Sequence, residues 1–358
     1  MIFDLAIVGS GPAGASCAAF CAVAGHRTLI LERETFPREK VCGDCLNPAC
    51  TPILERLGVA ARVQTLPHGR LSRVEFVAIG GHTVGVDLPP DAEIAVKRSL
   101  FDQVLMKRAA EAGAVVRQGA TVDALVPPAL TRDSWKITAG AESFEARVLV
   151  AADGRNSTVA RLLRLLPRIA RERVALQTHL PLPSGFGARV VLQLLPDGYS
   201  GQAPVGDNEL NLCLVGKPSS MPLLRDWAET SFGVARDHHW RIITPLRRVS
   251  LPPARRRLFL IGDAARVVEP FTGEGIYYAL RSGELAAEAI ASLLATGDDD
   301  EAARSYAAAH DELYRGRLWV NRIARAAVLS PRITSLLLRA SVLHPALLRV
   351  LTAKLTKL

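Results

Sequence analysis

Ile2-Phe3-Asp4-Leu5-Ala6-Ile7-Val8-Gly9-Ser10-Gly11-Pro12-Ala13-Gly14, closed eighteen residues later by Glu32, decides the fold of this 358-residue chain. A short apolar run leads into three spaced glycines. A helical stretch follows to about Ala24, then a second apolar run from Arg27 to Leu31 that ends on an acid. Strand, glycine turn, helix, strand and acid in this order form a dinucleotide-binding fingerprint. Gly9 permits the tight turn, Gly11 lets the backbone approach a pyrophosphate, and Gly14 lets the helix lie close to the strand. Pro12 and Ala13 open the helix, whose free N–H groups and positive dipole end face the phosphates. Glu32, with Arg33 beside it, is placed to receive the ribose hydroxyls.

Length and composition admit two lobes with substantial cores. Forty-nine per cent of the residues are hydrophobic and 5% aromatic, and nothing looks repetitive or disordered. The N-terminus lacks the basic region of a signal peptide, and no run of about 18 uncharged apolar residues predicts a spanning helix. A cytoplasmic protein is expected. The net charge of +9 is concentrated at the C-terminus: Ala302 to Leu358 carries ten Lys or Arg against Asp311 and Glu312, a local +8. Leu347, Leu351, Leu355 and Leu358 fall on one helical face, with Arg349 and Lys354 elsewhere. Such a helix packs on the body or rests on an anionic membrane surface, as a peripheral contact. Basic residues interleaved with leucines, without a nucleic-acid motif, point away from nucleic acid.

Five of the six cysteines lie in the first 50 residues. Cys17 and Cys21, four apart, read as small core residues of the first helix. Cys42-Gly43-Asp44-Cys45 has the CxxC spacing, but neither a second CxxC nor a close His completes a zinc site, so no metal is expected. A redox disulfide is a second reading.

Beyond the fingerprint, Arg33 to Pro52 reads as a long loop, Ala95 to Gly113 as a helix, and Arg147 to Ala151 as a strand leading into Asp153-Gly154. From Val174 to about Val249 the pattern alternates, with strands at Ala188–Leu195, Leu210–Val215 and Arg241–Leu246 and a helix at 223–232. Arg257 to Ile261 returns as a parallel-type strand ending at Gly262-Asp263. That is where an open α/β sheet binds ligands, and there an Asp accepts hydrogen bonds from a polyol. Pro270-Phe271-Thr272-Gly273-Glu274-Gly275-Ile276 then opens a long helix, whose glycines let backbone N–H groups approach a flat ring.

Gly9 to Gly14 with Glu32, Arg98 in Lys97-Arg98-Ser99-Leu100-Phe101-Asp102, Asp153-Gly154, and Gly262-Asp263 with Pro270 and Gly273 to Ile276 together resemble the FAD-dependent oxidoreductases of the p-hydroxybenzoate hydroxylase superfamily. Phe36 to Asp44 and Pro270 to Gly283 resemble its geranylgeranyl-reductase-like branch. The resemblance implies an α/β fold: a Rossmann-like FAD-binding domain of the glutathione-reductase type, an inserted, largely antiparallel β-sheet substrate domain and a helical C-terminus. The FAD-binding parts are expected at 1–75, 95–165 and 251–300, the substrate domain at 76–94 and 166–250, and the basic helical region at 301–358. The resemblance also implies that Arg98 contacts FAD, that Asp153 lies near it, that Asp263 holds the ribityl chain, and that Cys42 and Gly43 lie by the flavin. A second nucleotide fingerprint is missing, so the electron donor is a transiently bound NAD(P)H or a reduced partner protein.

The resemblance has departures. Tyr199-Ser200-Gly201-Gln202-Ala203-Pro204 stands where prenyl reductases of this branch carry a Tyr-x-Trp-x-Phe-Pro stretch, and the Trp-x-Trp-x-Ile-Pro motif of the halogenases is missing. Three functions remain open. The first is flavin hydride transfer to a C=C bond of a hydrophobic, specialised-metabolite or lipid-like substrate, with Cys42 or Tyr199 as proton donor. The second is a monooxygenase (hydroxylase or epoxidase) using NAD(P)H and oxygen on an aromatic or polyketide-like substrate. The third is a redox-sensing flavoprotein acting through Cys42 and Cys45.

Overall fold

A computed structural model describes residues 1–89, 93–130, 133–166, 173–206, 208–270, 273–316 and 318–341. The chain starts with β1 (Ile2–Val8), α1 (Pro12–Val23) and β2 (Thr28–Glu32), then a loop holding β3 (Cys45–Leu46), α2 (Thr51–Arg56), α3 (Ala60–Gln64) and β4 (His68–Leu71). It continues through β5 (Arg73–Val77), β6 (Thr83–Asp87), β7 (Glu93–Val96), α4 (Arg98–Glu111), β8 (Val115–Gln118), β9 (Val122–Val126), β10 (Trp135–Ala139), β11 (Glu142–Ala151) and α5 (Thr158–Leu162). Next come β12 (Val174–Pro181), β13 (Arg189–Leu195), β14 (Gly198–Val205), β15 (Glu209–Gly216), α6 (Met221–Phe232) and β16 (Arg241–Ile243). β17 (Ala254–Arg255), β18 (Leu258–Leu260), α7 (Gly275–Thr296), α8 (Asp299–Tyr314), α9 (Leu318–Leu329) and α10 (Pro331–Ser341) complete it.

The first sheet has the order β17-β18-β11-β1-β2-β8, with the β9–β10 hairpin attached to β11. β18, β11, β1, β2 and β8 run parallel. Helices α1, α4 and α7 cover one face of this sheet and the β9–β10 hairpin with α5 the other, so its strands are continuously apolar: all five residues of β2 and Leu5 to Val8 of β1 are buried. α1 lies against α7, and the contact is close because Gly283 has no side chain. A Cβ there would come 2.3 Å from Ser16 Oγ and 2.5 Å from the Ala13 carbonyl oxygen. Cys17 and Cys21 are buried in this core.

The second sheet, β16-β12-β15-β14-β13-β5-β6, is antiparallel except where β13 meets β5. One face packs on α6 through Leu212, Leu214, Leu224 and Trp240. The other face meets α9 and α10 through Val328 and Leu338. A small antiparallel sheet, β3-β7-β4, stands beside it.

Three readings of the sequence change. The helix expected from Ala95 starts at Arg98, because Ala95 and Val96 close the ladder of β7 against β3 and β4. The strand from Arg241 stops at Ile243, two residues before Pro245, which has no N–H for a ladder. β14 was not anticipated: its glycine- and proline-bearing sequence hides a strand buried along almost its whole length.

Candidate functional site

The site starts where β1 ends. Gly9 adopts φ +100°, and a Cβ on it would lie 2.6 Å from the Ala152 carbonyl oxygen; on Gly14 it would lie 2.0 Å from the Gly9 oxygen. These contacts press α1 onto the strand. Gly11 faces the other way, where a Cβ would meet only Arg38 Nη2, at 3.7 Å. Gly11 caps α1, whose first turn contains no side-chain cap and no acid, so its N–H groups point into the cleft unneutralised. Glu32 lies beside this turn. Its Oε2 accepts from Ser10 N at 2.7 Å and its Oε1 from Glu34 N at 3.0 Å. A carboxylate has about four lone-pair sites, so capacity remains for ribose hydroxyls. Arg33 is exposed at the rim and pairs with Glu34.

The next two motifs close the cleft from the opposite side. Asp153 Oδ2 accepts from Val159 N at 2.9 Å at the head of α5, and Asp263 Oδ2 accepts from Arg155 Nη2 at 3.0 Å. Among the described residues, Asp153 Oδ1 and Arg155 Nε and Nη1 are buried with no hydrogen-bond partner. Burial raises the Asp153 carboxyl above its usual range. Lys40 faces the same space and is brought down to about 8 by burial and by its neighbours Arg155 and Arg98. Gly262 and Asp263 lie at the carboxyl end of β18, and Pro270, Gly273, Gly275 and Ile276 lead to the start of α7, again with no acid in its first turn. Glu274 is buried behind them; Phe271 and Thr272 of the same motif lie outside the described residues.

The cleft runs on beneath the second sheet, where Val74, Phe76, Leu88, Val190 and Leu192 give it an apolar wall and Tyr199 faces it from β14. Its cavity volume is about 430 Å³, within the roughly 300–1,000 Å³ of a small-molecule pocket. Burial raises the Tyr199 phenol far above its usual range.

The loop of Cys42, Gly43 and Asp44 crosses between the two halves. Asp44, 1% exposed and at φ 62°, accepts from His179 Nε2 at 2.8 Å, Asn211 Nδ2 at 2.7 Å and Arg98 N at 3.3 Å. Asn211 Nδ2 also donates to the Cys42 carbonyl at 2.8 Å. Burial raises the Asp44 carboxyl, opposed by His179 and Arg98. Arg98 is buried and held by Asp102 through two bonds of 2.7 Å, so its charge is already paired at the wall of the cleft. Burial also raises the Cys42 thiol, opposed by Arg98, which keeps it protonated at neutral pH. All six cysteines are free thiols.

The structure thus brings the fingerprint, Arg98, Asp153, Asp263 and the start of α7 around one cleft, with Cys42 and Tyr199 on its continuation. Asp44, His179 and Asn211 escaped the sequence reading. Asp44 stood inside a quoted motif, but its partners come from 135 and 167 residues away. The open floor at Gly11, two uncapped helix starts and the orphaned donors of Arg155 fit a dinucleotide. Gly9, Pro12, Ala13 and Glu32 would line its adenosine and pyrophosphate part, and Asp263, Gly273 and Ile276 the part nearest the second sheet.

Comparison with known proteins agrees. Residues 3–178 match the FAD binding domain family. The chain is 33% identical over 325 residues to a menaquinone reductase of Mycobacterium tuberculosis, covering 81% of this chain and 76% of the relative. It is 28% identical over 335 residues to digeranylgeranylglycerophospholipid reductase 1 of Methanopyrus kandleri, covering 85% and 84%. Among solved structures, the flavin-dependent brominase Bmp2 superposes with a TM-score of 0.79 at 21% identity, covering 98% of this chain and 93% of that one. At that identity the likeness concerns the fold.

Proposed function

This chain belongs to the FAD-dependent oxidoreductases, in their geranylgeranyl-reductase-like branch, and we propose from that premise that it reduces a carbon–carbon double bond of a hydrophobic, lipid-like or specialised-metabolite substrate. One observation carries the reading: a single cleft leads from the dinucleotide cradle to the apolar wall of the second sheet. Bound in the cradle, the flavin would supply a hydride. Every other part of the reaction falls to the chain. The second sheet excludes water and aligns the substrate. The uncapped start of α7 stabilises negative charge close to it. Cys42 or Tyr199, both held protonated at neutral pH, gives the single proton to the second carbon. Asp44 and Asn211 fix the backbone of Cys42.

The remaining parts of the reading are the division into three cradle segments with an inserted substrate domain, reduction by NAD(P)H or a reduced partner protein, and peripheral membrane contact. Support for the last comes from α10. Ile333, Leu336 and Leu337 are 62%, 64% and 64% exposed beside Arg332 and Arg339, and no described helix is long and apolar enough to cross a membrane.

The test is anaerobic incubation of the FAD-loaded protein with NAD(P)H or dithionite and a panel of polyprenyl and polyketide olefins, read by mass spectrometry. Oxygen-independent gain of two hydrogens is expected. A product gained only in air, one oxygen heavier, would replace this reading with the monooxygenase one. That alternative is favoured by Gly201 and Ala203, which stand where the prenyl reductases' stretch carries its Trp and Phe.

A further inference from the structure

Glu93 begins β7 and lines the cleft together with Val74, Phe76, Leu88 and Asn47. Neither function nor motif called for a carboxylate there. Its side chain is half-buried and lines the cleft, and among the described residues it makes no hydrogen bond or ion pair. A partly buried carboxyl group on an apolar cleft wall, with no partner in the fold, is free to hydrogen-bond a ligand.

We infer that Glu93 recognises an oxygen function, a carbonyl or a hydroxyl, on an otherwise apolar substrate held under the second sheet. The inference rests on the proposed function and deepens it by naming the polar end of the substrate. Val74, Phe76 and Leu88 make that wall largely hydrocarbon, and Glu93 is the carboxylate set among them. Burial alone raises Glu93 to about 7, so both of its forms are populated near neutrality. The titratable groups that face it are Cys45 on β3 and Cys50 before α2. Burial holds Cys45 far above its usual range and Cys50 at about 12, so both stay neutral. On the neighbouring strands, Arg73, Glu75, Asp87 and Arg189 pair with one another. They lie on the opposite face from Val74 and Phe76, as strand alternation requires. The protonated acid donates a hydrogen bond to a carbonyl; the carboxylate accepts one from a hydroxyl.

The experiment is isothermal titration of the oxidised, FAD-loaded protein with two uncharged probes, 2-methyl-1,4-naphthoquinone and 2-naphthol, between pH 6 and 8. Quinone affinity should fall about tenfold as Glu93 loses its proton, whereas naphthol affinity should rise. Glu93→Gln should flatten both profiles while the flavin spectrum stays unchanged. Parallel profiles for the two probes in the unsubstituted protein overturn the inference without recourse to any variant, and so do slopes that persist in Glu93→Gln. Binding of neither probe overturns the hydrophobic-substrate reading itself, a different failure.

Discussion

Each oxygen of the Glu32 carboxylate accepts a backbone N–H, one from Ser10 in the glycine turn and one from Glu34 beyond the strand. The side chain therefore shapes the turn as well as lining the cleft. Glu32→Ala should weaken FAD binding by about 10- to 100-fold, since a buried hydrogen-bond partner is worth roughly 1–3 kcal/mol, and fluorescence titration of FAD measures it. Tyr199 makes the complementary case. Its phenol is buried on the cleft, and as proton donor its loss should appear in turnover. Tyr199→Phe should lower kcat by about 10²-fold with KM nearly unchanged; a change in KM alone would reduce Tyr199 to a wall residue. Glu32 was legible because its place is fixed by local order: turn, helix, strand, acid. Asp44 was not, because a lone Asp after Gly43 acquires meaning only from His179 and Asn211 on strands of the second sheet.

Helices α1 and α7 carry the cradle between them, and their spacing is set at Gly283, where an added Cβ would meet Ser16 Oγ and the Ala13 backbone. Gly283→Val should destabilise the fold by about 1–3 kcal/mol and, by moving the start of α1, weaken FAD binding in parallel. Thermal unfolding and FAD titration together check this. α8 carries a different liability. His310 is buried between the rings of Tyr306 and Tyr314, and among the described residues neither ring nitrogen has a partner. Burial, with Arg266 nearby, lowers it from its usual value to about 4. The unfolded chain then takes up the proton more readily than the fold. Stability is therefore complete above about pH 6.5 and is lost as pH falls toward 4, by on the order of 3 kcal/mol. His310→Phe should flatten the fall of Tm across that interval. At this scale the parallel strands were readable from their unbroken apolar runs. β14 was not, since Gly198, Gly201 and Pro204 look like turn residues and function as strand residues between β13 and β15.

The whole molecule places its apolar outer surface next to its cavity. α9 and α10 pack on the cleft side of the second sheet through Val328 and Leu338, and α10 is fastened by Ser335, whose hydroxyl accepts from Ile79 N at 2.9 Å. The opposite side of α10 turns Ile333, Leu336 and Leu337 outward. Leu336→Glu with Leu337→Glu should abolish co-sedimentation with anionic vesicles and leave Tm unchanged, because both residues are exposed; equal binding would remove the membrane contact. FAD itself should raise Tm, by an amount that grows with its concentration, since it binds the fold and not the unfolded chain. The sequence by itself determined the cradle and the class of cofactor, because both follow from backbone geometry that glycine spacing and apolar runs encode over a few dozen residues. Only the tertiary structure decided what lies opposite the glycine-rich cradle. The cavity is walled by β5, β13, β14 and β15 and closed by the loop at Cys42, from segments more than a hundred residues apart. Their side chains meet only because β13 pairs in parallel with β5, a contact that no local pattern encodes.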